Sequence, residues 1–117
     1  MNEIQSLVEL SDDDLLERLG RELWSAAGHA TPATRKALTL QARDWLTANL
    51  PRAKDAVCGN SVVEAIRDKA DVITLAGAIA DIFAKSGGFP VPSIVAILVA
   101  RIGLNRLCLG WQPKEPR

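Results

Sequence analysis

The chain has 117 residues, 48% of them hydrophobic and 24% charged, and its 14 basic side chains balance 14 acidic ones. That length suits one domain with a single core, and the composition excludes a disordered chain. Zero net charge argues against a broad nucleic-acid footprint, and the lack of tyrosine and of Val-Thr-Tyr runs argues against a β protein.

Charge is unevenly laid out along the chain. Residues 1–17 hold six acids (Glu3, Glu9, Asp12, Asp13, Asp14, Glu17) and no base, whereas residues 18–54 hold seven bases against Glu22 and Asp44. Residues 2–10, with Ile4, Leu7, Val8 and Leu10, suit a short first helix or an arm packed on the body. Ser11 followed by Asp12-Asp13-Asp14 predicts a helix start, because serine caps the first free N–H groups and acids oppose the helix dipole. Leu15, Leu16, Leu19, Leu23 and Ala27 form its apolar face, and Gly28 supplies the stop.

Thr31-Pro32 predicts the next helix start, with threonine as cap and proline in the first turn. Leu38, Ala42, Trp45, Leu46 and Leu50 line its inner side, and Pro51 either ends it or begins a short helix reaching about Val57. Ser61-Val62-Val63-Glu64 resembles a capping box; the helix that follows either runs on to Lys85 or restarts at Asp71, and one long helix bent near Ala70 to Asp71 is the favoured expectation. Gly87-Gly88 ends it, and Pro90 and Pro92 keep the link extended. The last helix, about Ser93 to Leu109, is apolar on nearly every side, which predicts a central position.

Residues 71–109 carry the strongest pattern. An antiparallel fold at the Gly-Pro link sets Ala84 against Ala96, Ala80 against Ala100 and Ala76 beside Gly103, small residue against small residue. The expected architecture is therefore all-α: a compact bundle of five to six helices around a close-packed C-terminal antiparallel hairpin. Residues 1–110 form the domain and 111–117 a flexible tail.

Asp81 and Arg101 interrupt apolar stretches and fall on one flank of that hairpin, which predicts an ion pair between them. Cys58 and Cys108, in apolar surroundings, read as two buried free thiols. With no secretory leader in the sequence, a cytoplasmic location is expected. His29 reads as a loop residue, and no spacing of histidine, cysteine or acid suggests a metal. No nucleophile elbow, phosphate loop or cofactor motif occurs, so neither a cofactor nor catalysis is expected.

The expected function is a non-catalytic protein–protein interaction module: an adaptor, small subunit or inhibitor, with self-association included. Trp24, Trp111, Arg35, Lys36 and Arg43 are its candidate interface residues. Two alternatives come from other classes. One is a membrane-active effector using the 71–109 hairpin, disfavoured because Arg101 and Arg106 each cost roughly 2.5–3.5 kcal/mol in a span centre. The other is nucleic-acid binding through the basic 31–54 region, disfavoured for want of interleaved aromatic residues.

Overall fold

A computed structural model describes residues 3–28 and 33–111. These form seven helices and no strand: α1 (Glu3–Leu7), α2 (Asp12–Ala26), α3 (Arg35–Val57), α4 (Ser61–Ile66), α5 (Val72–Ser86), α6 (Pro92–Ile102) and α7 (Leu104–Leu107). The all-α bundle expected from the sequence is the observed architecture, with seven described helices in place of five to six.

Local chemistry explains most boundaries. Ser11 caps α2, its hydroxyl accepting from the Asp14 N–H at 3.1 Å. Leu15, Leu16 and Leu19 are buried on one face, and Gly28 follows the end at φ +81°. The cap of α3 is Thr34, which accepts from the Ala37 N–H. The expected cap at Thr31-Pro32 and the loop residue His29 lie outside the described residues. α3 continues through Pro51 for 23 residues, tolerating the missing N–H that proline brings.

The expected long helix from 61 to 85 is two helices. Asn60, not Ser61, caps α4, its side-chain oxygen accepting from the Val62 and Val63 N–H groups. Glu64 turns to Arg67 at 3.0 Å instead of completing a capping box. Asp71 then caps a new helix through the Thr74 N–H. The Asp71 cap captures a donor that an uninterrupted helix would have bonded itself, so a second start divides the segment. The last helix is likewise split at Gly103, whose φ of +93° suits a residue without a Cβ.

Two packed pairs dominate: α2 against α3, and α5 against α6. α6 also touches α1, α2 and α7, and all seven residues from Ile94 to Ala100 are buried. It occupies the centre that its all-round apolarity predicts. At the α2–α3 crossing the approach is backbone on backbone: a Cβ built on Gly20 would stand 2.1 Å from the Leu38 carbonyl oxygen.

The expected alanine stripe of α5 is not buried along its whole length. Ala76, Ala96 and Ala100 are buried, but Ala80 is half-buried and Ala84 exposed. The buried face of α5 runs through Leu75, Ala76, Ile79 and Phe83. At the link end large residues fill the space. Phe83 stacks on Phe89 at 4.2 Å between ring centroids, and Trp45 meets Phe89 edge-on at 6.3 Å. These rings bury more apolar area than an alanine pair would. Arg52 covers this cluster, its guanidinium 4.6 Å from the Phe89 centroid and donating to the Gly88 carbonyl.

The cysteines also differ from expectation. Cys58 and Cys108 form a disulfide between the ends of α3 and α7. Their 50-residue separation hides this proximity in the sequence. Trp111, the first residue of the expected tail, is half-buried against the core. The rest of the expected tail, 112–117, lies outside the described residues.

Candidate functional site

The strongest polar feature sits where α1, α2 and α6 meet. Arg101, in the last turn of α6, donates to Asp12 Oδ1 at 2.6 Å and to the carbonyls of Val8 and Leu10 at 2.7 Å each. One guanidinium thus satisfies the carbonyl groups that follow α1 and anchors the start of α2. The planar five-donor fork of arginine suits three acceptors at once. Its side chain keeps 25% of its surface exposed.

This replaces the expected Asp81–Arg101 pair. Asp81 is exposed on α5 and borders a separate groove with Lys85, Ile82 and Val62. The expected pairing assumed that α6 turns its charged flank along α5. Packing of α6 on α1 and α2 instead turns Arg101 toward the N-terminal segment.

Beside Arg101 opens a groove of about 520 Å³ between α2, α3 and α6. Leu16, Leu46, Leu50, Leu98 and Ile102 supply its apolar surface, and Asp12, Arg43 and Arg101 supply charge. Leu46 and Leu50 are half-buried, so part of the leucine ladder that α3 directs inward faces this groove. The groove mixes aliphatic surface with charge of both signs.

The basic side chains singled out in the sequence are turned to the acidic first segment. Arg35 donates to Asp14 at 2.8 Å and approaches Glu17 at 3.1 Å, and Arg43 reaches Asp13 at 3.2 Å. These pairs lie at the surface and are worth at most about 1 kcal/mol each; they link α3 to the start of α2. Lys36 is exposed on the first turn of α3.

Trp24 and Trp111 are not brought together. Trp24 is half-buried near the end of α2. Trp111 lies on the other side of the disulfide turn, its indole N–H donating to Asp55 at 3.2 Å. Its ring covers Gly59, where a Cβ would come within 2.9 Å. Sequence reasoning missed the groove and the three acceptors of Arg101. The signal available was the leucine spacing of α3, read there as wholly interior.

Among the described residues no cluster of three or more histidine, cysteine or acidic side chains is placed to hold a metal ion. The Asp71 carboxyl is clearly displaced from its ordinary value. Hydrogen bonds from Thr74, foremost its backbone N–H, hold the Asp71 carboxyl below the usual carboxylate range, which is the signature of a helix cap. No described helix is long and apolar enough to cross a membrane. No family model, curated protein or solved structure matches the chain significantly.

Proposed function

We propose that the protein is a non-catalytic helical interaction module, acting as an adaptor, small subunit or inhibitor. Its partner contributes an amphipathic helix to the groove between α2, α3 and α6. The observation that carries this reading is the groove itself: five aliphatic side chains beside Asp12, Arg43 and Arg101. Helix-in-groove recognition uses that combination, with apolar anchors for affinity and rim charges for orientation. A second copy of the chain is one source of such a helix.

The test compares the intact protein with Leu50→Glu, which places a charge on the groove surface. Light scattering after size exclusion reads self-association, and crosslinking in the native cell reads a different partner. The reading predicts an assembly that the wild type forms and Leu50→Glu loses while circular dichroism stays unchanged. A wild type that is monomeric at high concentration and crosslinks to nothing refutes it, as does a complex indifferent to Leu50→Glu.

The proposed location remains the cytoplasm. Disulfides are rare there and, when present, are usually transient and redox-sensing, so this location requires Cys58–Cys108 to be a bond that is made and broken. Cell fractionation with thiol trapping checks it: recovery solely outside the cytoplasm refutes the assignment.

A further inference from the structure

We propose that Cys58–Cys108 is a redox-controlled latch on the C-terminal segment, and that a dithiol reductant releases residues 103–111 while the remaining bundle stays folded. The inference is independent of the groove and its occupant. It rests on how α7 is held. α7 has four residues, and Gly103 at φ +93° separates it from α6. A helix that short does not persist alone in water, so its order depends on its attachments. Leu104 and Leu107 are buried against the core. Three side-chain links then reach across to the α3–α4 region: the disulfide, a hydrogen bond from Arg67 to Asn105, and the Trp111–Asp55 bond. The acceptors of the two hydrogen bonds, Asn105 and Asp55, are exposed, so water competes for them. The disulfide is the one covalent tie.

The two ends of the bond differ in access. Cys58 is 4% exposed, whereas Cys108 is the more open residue, flanked by exposed Leu109 and Gly110. A thiolate of the dithiol therefore attacks Sγ of Cys108, forming a mixed disulfide and expelling the Cys58 thiolate, which takes up a proton. The second thiol of the reductant then closes on the first, expelling Cys108 as thiolate. Two electrons pass from the dithiol to the protein; the products are two cysteine thiols and one cyclic disulfide. With the tie cut, Trp111 leaves Gly59, and α7 frays from the Gly103 hinge.

Hydrogen exchange with mass spectrometry on the full chain tests this, comparing the oxidised protein, the protein reduced with dithiothreitol, and the Cys58→Ser/Cys108→Ser variant without reductant. The expected result is at least about tenfold faster exchange over 103–111 in the reduced protein and in the variant, with amides of α2, α3, α5 and α6 unchanged. Reoxidation with glutathione disulfide restores protection in the wild type only. Unchanged protection over 103–111 after reduction overturns the proposal. So does accelerated exchange across all helices together, which would make the bond a staple of the whole domain. Far-UV circular dichroism of the reduced wild type serves as a second check, independent of whether the variant folds.

Discussion

Replacing Gly20 with alanine poses a test whose sign is decided by packing. In an open helix interior, Gly→Ala gains up to about 1 kcal/mol, because alanine loses less backbone entropy on folding. At Gly20 the new methyl would lie 2.1 Å from the Leu38 oxygen, 2.6 Å from its carbonyl carbon and 2.9 Å from its Cα. These are backbone atoms of α3, so no side-chain rotation relieves the clash. Moving that contact from 2.1 Å to an ordinary distance of about 3.4 Å requires a shift of at least about 1.3 Å between the helices, and that separation opens gaps along the α2–α3 seam. Overpacking of this kind costs about 1–3 kcal/mol, and the rigidity of both elements sets it at the upper end. After the propensity gain, the net loss is about 2 kcal/mol. Gly77 is the internal control: it sits within α5, and a Cβ there meets nothing within 4 Å. Gly77→Ala is expected to stabilise by up to about 1 kcal/mol. Urea titrations at constant m-value read both. A Gly20→Ala protein as stable as its parent would refute the close α2–α3 crossing.

Three further outcomes follow from the same structure. Arg101→Ala removes a charged donor from Asp12, Val8 and Leu10 and is expected to cost about 2–3 kcal/mol in urea unfolding, whereas Asp81→Ala, at an exposed site, leaves the midpoint unchanged; equal losses in both would restore the Asp81–Arg101 pairing. Ala100→Leu, at a buried position, is expected to lose about 1–3 kcal/mol by overpacking, while Ala84→Leu, exposed on α5, melts as the wild type does; the reverse order in differential scanning calorimetry counts against the described α5–α6 face. Asp71 has its folded pKa depressed, so its contribution is present above the unfolded carboxylate value and is lost as pH falls through the lowered one. Asp71→Asn keeps a capping oxygen without the titration, so the difference between wild type and variant should disappear in thermal melts at sufficiently low pH; a difference that persists there contradicts this linkage.

The legible parts of this fold were those written locally. The serine and three aspartates at 11–14 specify the start of α2, and an apolar run without a polar face specifies that α6 lies inside. Caps were less legible, because several residues compete: Thr34 and Asn60 took positions that Thr31 and Ser61 also fit by type. The breaks at 67–71 and at Gly103 were obscured by apolar periodicity continuing across them. What the sequence concealed was pairing across distance. Arg101 finds Asp12 across 89 positions and Cys58 finds Cys108 across 50, and both depend on where whole helices pack. The groove escaped notice for a related reason. Leu46 and Leu50 have the spacing of core residues, and only the placement of α6 leaves them partly uncovered.

The position of α6 also has a consequence for biosynthesis. The segment that completes the interior is made after α2 and α3, so the leucine faces of those helices emerge from the ribosome before the element that covers them. At about 5–20 residues per second, translation of the stretch from α3 to the end of α6 occupies several seconds. Throughout that interval the nascent chain carries uncovered aliphatic surface, and it can complete its fold only once the 92–102 segment has cleared the exit tunnel. Truncation just before residue 92 should therefore yield a chaperone-bound or aggregating polypeptide, not a smaller version of the same domain.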